Sequence, residues 1–342
     1  GKVPKKVTAK EIAKILGVST MTISRALNNR PNVNEKTRQK VIDTARKLGY
    51  FPNHIAKSLV LRKTDTIGVV VPEITHSFFP EVIRGIEEIT YQKGYRLILT
   101  HSAENSAREE DALTTLTSMQ VDGLLISTAQ NVQDYSIYQQ IINRGLPLVF
   151  YDRCVKGIGA SCVSLDDEES AYLVTEHLIK HGYRRIAHLS GPLHVLIGKA
   201  RLNGYRRALK NHQIPCEAKL VVESGLQEQD GYLAMQKLLG LPKNEWPRAV
   251  VAVNDPAAFG AMKVITERGL SIPEDIAVVG FSDDIRAELI DPPLTTIRQN
   301  AYEIGKQAVK KLLNLIEDKD FEIEEIVVKG ELVIRISCGC NM

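Results

Sequence analysis

No stretch of this 342-residue sequence approaches the ~18 to 20 uninterrupted apolar residues of a membrane span. The opening residues Gly1-Lys2-Val3-Pro4-Lys5-Lys6 hold no apolar block of the kind that directs secretion, so the chain is expected to stay in the cytoplasm. Cysteine is scarce. Cys154, Cys162, Cys216, Cys338 and Cys340 are odd in number and scattered, which suits reduced thiols better than a disulfide framework. Cys338 and Cys340 alone fall short of the four ligands of a closed zinc site, and His177 and His181 lack the Glu of a His-Glu-x-x-His helix, so no metal is expected. Gly-x-Ser-x-Gly and Gly-x-x-x-x-Gly-Lys are both missing. The sequence therefore offers no catalytic residue and no cofactor site, and it does not read as an enzyme.

What is present is a segregation of charge that the total of +3 conceals. Residues 1 to 63 hold 15 Lys and Arg against 3 Asp and Glu, a net of +12, which leaves 29 against 38, a net of −9, for the rest. A basic front end carrying regular apolar positions points to a folded module for a polyanion, with a solvated basic tail as the alternative.

Helical spacing supports that module. Thr8 is placed to cap a helix whose inner face is Ile12, Ala13 and Leu16, and Gly17-Val18 breaks it. Ser19 then caps a second helix with Ile23, Ala26 and Leu27 inside and Thr20, Met21, Ser24 and Arg25 outside. Asn34 starts a third, whose Val41, Ile42, Ala45 and Leu48 complete a small core. Two helices joined by so tight a turn make a helix-turn-helix, in which the second helix presents its first turn to the major groove. Arg25 suits a bidentate contact to guanine or a phosphate contact, and Met21 suits a thymine methyl or partial burial. Lys10, Arg30, Lys36 and Arg38 are expected at phosphates.

From Thr66 onward short apolar runs alternate with amphipathic helices. The runs are 67–71, 97–99, 123–126, 146–150, 186–189, 249–253 and 276–280, and they read as buried parallel strands of two doubly wound α/β lobes. In such sheets ligands bind beyond the carboxyl ends of the strands. The residues there are His76, Phe78 and Phe79 after the first run, Asp152 and Arg153 after Phe150, Asn254 and Asp255 after Val253, and Ser282 and Asp283 after Phe281. Arg201 follows Ser190-Gly191-Pro192 on a helix. Aromatic faces beside carboxylate, amide and guanidinium groups suit a polyhydroxylated ligand. Phe79 suits the core equally well, and Asp255 suits a cap for the helix at Pro256.

The segments Glu11-Ile12-Ala13-Lys14, Gly17-Val18-Ser19, Thr22-Ile23-Ser24-Arg25-Ala26-Leu27-Asn28, Lys36-Thr37-Arg38 and Leu48-Gly49-Tyr50-Phe51-Pro52-Asn53 closely resemble the lactose/galactose repressor (LacI/GalR) family, and the resemblance extends over nearly the whole chain. It implies an all-α DNA-binding domain over residues 1–52, a hinge and linker over 53–64, and an effector-binding domain over 65–342 built like periplasmic sugar-binding proteins. In it, lobe 1 would take about 65–164 and 297–320, and lobe 2 about 165–296 and 321–342. The implied DNA-contacting residues are Thr8, Ser19, Thr20, Met21, Thr22, Arg25, Asn53, Ala56 and Leu59. Leu59 would wedge into the minor groove from a hinge helix, or else would seat the linker.

The same resemblance implies a homodimeric transcriptional regulator, expected to be a repressor, on a near-palindromic double-stranded operator. Operator affinity would be set by a sugar, sugar acid or sugar phosphate held between the lobes. The effector-contacting set would be His76, Phe78, Phe79, Asp152, Arg153, Arg201, Asn254 and Ser282. Ser282 stands where the family usually has an Asp, and Leu226 where an aromatic often stacks. Losing that carboxylate while Arg153 and Arg201 remain favours an anionic effector. The family contains members released from DNA by their ligand and members armed by it, so the direction of control is left open.

Overall fold

The computed structural model describes residues 6–53, 56–57 and 61–340. It divides into two compact units, Gly1–Thr64 and Asp65–Met342. Among the described residues no helix is long and apolar enough to cross a membrane.

The small unit contains α1 (Ala9–Leu16), α2 (Thr20–Leu27) and α3 (Glu35–Leu48). Thr8 and Glu11 cap α1 reciprocally. The Thr8 hydroxyl accepts from the Glu11 N–H at 3.3 Å, and the Glu11 carboxylate accepts from the Thr8 N–H at 2.7 Å. Gly17 ends the helix at φ 66°, a left-handed conformation that side chains resist, and the Val18 N–H returns to the Ala13 carbonyl at 3.0 Å. Ser19 and Asn34 cap α2 and α3 as their positions predict. Ile12, Ala13, Ile23, Ala26, Val41 and Ala45 form the core. Leu48, expected in that core, is 36% exposed. Gly49 turns the chain back so that the Tyr50 N–H reaches the Ala45 carbonyl, and Tyr50 packs there in its place.

In the large unit the first lobe is built on β1 (Thr66–Val71), β2 (Arg96–His101), β3 (Gly123–Ile126), β4 (Leu148–Tyr151), β5 (Ser161–Leu165) and β11 (Glu325–Val328). They make one parallel sheet in the order β11-β5-β4-β3-β1-β2. The two-residue period of β1 sorts its side chains between two cores. Ile67, Val69 and Val71 pack with Phe79, Val82 and Ile86 of α4 (Phe78–Gln92) and Ile304 and Ala308 of α11 (Ala301–Ile316). Val70 faces Leu113 and Leu116 of α5 (Ser106–Ser118) and Tyr138 of α6 (Ser136–Asn143). Helices α4 and α11 touch through glycines: a Cβ on Gly85 would stand 2.1 Å from the Tyr302 carbonyl oxygen.

The second lobe carries the parallel sheet β7-β6-β8-β9, made of β6 (Ile186–Ser190), β7 (Val221–Glu223), β8 (Ala249–Ala252) and β9 (Ala277–Val279). Helices α7 (Asp167–Lys180) and α8 (Leu196–Asn211) cover one face, and α9 (Glu228–Leu239) and α10 (Asp255–Glu267) the other. Strand β10 (Thr296–Arg298) pairs antiparallel with β12 (Glu331–Val333).

The chain thus passes between lobes three times, after β5, after β10 and after β11. The third passage differs from the expectation of residue 321. Glu325–Val328 pairs in register with Cys162–Leu165 and stays in the first lobe's sheet, so the change of lobe falls after Val328. The expectation of reduced thiols is corrected as well, because Cys154 and Cys162 form a disulfide with a Cα–Cα distance of 5.8 Å. Phe150 lies opposite Cys162 in the β4–β5 pair, which brings Cys162 under the loop that leaves β4.

Candidate DNA-reading helix and effector cleft

On α2 the buried Ile23 and Ala26 face the core, while Thr20, Met21, Ser24 and Arg25 are exposed, Met21 to 60%. Thr22 is half-buried, and its N–H donates to the Ser19 hydroxyl at 3.1 Å. Two of the residues assigned to DNA, Thr8 and Ser19, therefore also cap helices. Arg38, assigned to a phosphate, is turned inward. Its guanidinium donates to the Ala26 and Arg30 carbonyls at 3.3 and 3.0 Å and ties down the end of α2. Asn53 and Ala56 are exposed, and residues 56–57 have helical backbone. Leu59 lies outside the described residues.

The cleft of the large unit lies at the carboxyl ends of the strands, where the two lobes meet. The first lobe supplies Glu73, His76, Phe78 and Phe79 from the turn after β1 and the start of α4, and Asp152 and Arg153 from the end of β4. The second supplies Ile197, Arg201, Leu226, Gln227, Asn254, Pro256 and Ser282, and Gln299 follows β10. All eight residues expected at an effector site line this one cleft. The lobes are closed on each other. Gln227 Nε2 donates to Glu104 Oε2 at 3.0 Å, the Leu226 N–H to Gln130 Oε1 at 3.2 Å, and the Ile285 N–H to the Ser77 hydroxyl at 2.9 Å.

The guanidinium groups in the cleft are already paired. Arg201 is buried, with Nε 2.9 Å from Asp167 Oδ1, a donor to the Val253 carbonyl at 2.6 Å, and the Phe281 ring 4.0 Å away. Arg153, also buried, bonds the Glu104 carboxylate and lies over Phe79. Burial pushes Asp167 up to about 6 against the pull of Arg201. It also raises Asp152 against Arg201, Arg153 and a contact from the Gln299 amide too loose to satisfy either group fully. His76 meets Glu73 at 3.0 Å and, across the cleft, Glu228 at 3.4 Å. Burial alone would lower the His76 pKa, and the bond to Glu73 carries it net upward. Asp152 Oδ1, Arg153 Nε and Gln299 Nε2 are buried without a hydrogen-bond partner, although such groups are normally satisfied by protein, water or ligand.

Residues 8–53 match the model of bacterial regulatory proteins of the lacI family, and residues 175–338 match a periplasmic binding protein-like domain. The HTH-type transcriptional repressor PurR of Vibrio atlanticus is 34% identical over 330 residues, covering 96% of this chain and 97% of its own. The chain belongs to the lacI family. It is accordingly a DNA-binding transcriptional repressor and not an enzyme. Among solved structures, the lac repressor dimer bound to operator and an anti-inducer superposes with a TM-score of 0.83 at 28% identity, over 98% of this chain and 99% of that one. A LacI family regulator from Enterococcus faecium with bound ribose superposes at 0.69 and 33% identity, over 80% and 98%.

As a lacI-family cleft, the site differs from the sequence reading in three ways. Asn254, expected to meet ligand, is the cap of α10. Its Oδ1 accepts from the Ala257 N–H and its Nδ2 donates to the Leu226 carbonyl, both at 2.9 Å, which leaves one amide hydrogen for the cleft. Asp255, offered as that cap, is instead buried beneath it and accepts from Thr296 Oγ1 at 2.6 Å and from the Asp284 N–H at 2.7 Å. Finally, Glu73, Gln227 and Gln299 join the lining unforeseen. Gln299 follows a three-residue strand whose apolar content is a single Ile297, too weak a signal to mark a strand end.

Proposed function

We propose that this repressor senses a neutral sugar in the interlobe cleft, and that a symmetric dimer transmits this to a near-palindromic operator. The supporting observation is the pairing of Arg153 with Glu104 and of Arg201 with Asp167, beside the carboxylate of Asp152 and the amide of Gln299, which meet each other. An anion would have to compete with carboxylates already seated on both guanidinium groups. Hydroxyls, by contrast, both donate and accept, and the cleft presents to them a carboxylate and an amide that meet each other rather than a guanidinium. This reverses the preference for an anionic effector that Ser282 suggested, because Ser282 removes a charge the other carboxylates replace. Phe78 and Phe79 add apolar surface for a sugar's carbon face.

Sugar binding across a closed cleft favours the closed lobe arrangement, and operator affinity follows if the two arrangements differ in it by about 1–3 kcal/mol. The test is a thermal-shift screen against neutral sugars, sugar acids, sugar phosphates and purines, followed by operator titration with and without the hit. A ligand at a hundredfold its dissociation constant adds about 2.7 kcal/mol to the folded state. A neutral sugar is expected to stabilise the chain and to change operator affinity. Stabilisation only by acids, phosphates or purines would overturn the reading.

A further inference from the structure

Outside the cleft, the second lobe gathers three side chains that the sequence keeps far apart. His177 lies on α7, and Cys338 and Cys340 lie in the turns that follow β12. One ligand atom from each, a ring nitrogen and two sulfurs, falls within 4.8 Å of the others. None of the three lines the cleft. His177 Nε2 stands 3.6 Å from Cys338 Sγ. Tetrahedral zinc, with bonds of about 2.3 Å to sulfur and about 2.0 Å to nitrogen, spaces its ligand atoms about 3.5–3.8 Å apart. The His177–Cys338 pair already has that spacing, and Cys340 Sγ needs to close by about 1 Å at most, within reach of a χ1 rotation.

Neighbouring groups fix the turn that carries the two sulfurs. The Thr295 hydroxyl donates to Cys338 Sγ at 3.1 Å, a bond that strengthens when the sulfur is charged. The Cys338 carbonyl is held by the Tyr183 hydroxyl at 2.8 Å. Between the cysteines Gly339 adopts φ 70°, and a Cβ there would stand 3.0 Å from the Tyr183 oxygen, so glycine lets the chain reverse and bring the second sulfur back. The sulfurs have only weak competing contacts, Cys340 to the Cys338 carbonyl at 3.4 Å and Cys338 to the Arg335 carbonyl at 3.6 Å.

We propose that His177, Cys338 and Cys340 bind a thiophilic cation of the zinc class, with a fourth position open to water or an external ligand. The two cysteines lack a third ligand in the sequence, and α7 provides it. The bound ion ties the segment after β12 to α7 within the second lobe. Each thiol surrenders its proton to solvent as the metal–sulfur bond forms, and no electron is transferred.

The test uses the full chain, purified under reducing, anaerobic conditions, loaded with zinc or cobalt and freed of excess metal. One ion per chain is expected, with a thiolate-to-cobalt charge-transfer band in the near ultraviolet. Cys340→Ser and His177→Gln are each expected to weaken binding by at least about tenfold. Cys216→Ser, which removes an exposed thiol elsewhere, is expected to leave it unchanged. Cys340 is only partly buried, so its variant should keep the parent melting temperature without metal. Equal metal content in wild type and Cys340→Ser overturns the proposal, as does loss of metal in Cys216→Ser. A Cys338–Cys340 disulfide found by mass in the reduced preparation also overturns it and makes the pair a redox couple instead.

Discussion

The polar side chains of α2 stand exposed and largely unengaged, whereas those of the interlobe cleft are buried and mostly bonded to one another. The small unit gets its fold from six buried residues and a few caps, which leaves the outer face of α2 free to vary. In the cleft the same groups shape the site and satisfy one another's charge. Changes on α2 should therefore separate function from stability, and changes in the cleft should couple them.

The largest effect tests that coupling. Arg201→Met strands Asp167 and Asp152 in a buried site, and unfolding of the large unit in denaturant should show a loss of about 3–5 kcal/mol. A loss under about 1 kcal/mol would mean that the buried pair is not what compensates those carboxylates. Asp152→Asn marks the exception within the cleft. It removes a charge whose burial is already unfavourable, so the ligand-free melting temperature should hold or rise. Sugar affinity measured by titration calorimetry should nonetheless fall by about 1.5–3 kcal/mol.

Arg25→Ala is the counterpart on α2. Operator affinity in an anisotropy titration should fall by about 1–3 kcal/mol with no change in melting, and a large drop in melting would erase the contrast between the regions. Thr8→Ala should cost the small unit about 1 kcal/mol of stability through the lost cap, so this residue, like the capping Ser19, should couple both readouts.

The smallest effect concerns pH. Burial pushes Glu73 up, but the bonds from His76 and Thr75 hold it net below the usual carboxylate range, while His76 is held above its ordinary value. The pair stabilises the closed unit while both groups are charged. That contribution fades as pH rises through the raised His76 value and again in strong acid as Glu73 protonates. The melting difference between wild type and His76→Gln should therefore be present in mildly acidic buffer and vanish in alkaline buffer.

Much of this was legible in the sequence. The helix caps, the α2 face and the strand ends that carry His76, Phe78, Phe79, Asp152, Arg153 and Ser282 follow from local periodicity and from the rule that open sheets bind at their carboxyl edges. Strands of strong apolar content were visible. Short or half-polar ones such as β5, β10 and β11 were not, and with β11 went the third change of lobe. The outlook of Arg38 was also hidden, since a surface arginine on α3 and one turned onto two carbonyls have the same helical position.

The sequence by itself determined the family, the split between a basic helix-turn-helix unit and an acidic two-lobed one, and which residues stand at the mouth of each strand. Only the tertiary structure decided what those residues are free to do. It set Glu104 on Arg153 and Asp167 on Arg201, spent Asn254 on a cap, brought Gln299 beside Asp152, closed Cys154 onto Cys162 and carried His177 to Cys338. The physical reason is distance along the chain. Capping and periodicity act over three or four residues, whereas contacts such as Gln227 to Glu104, 123 residues apart, exist only once two lobes have folded and closed on each other.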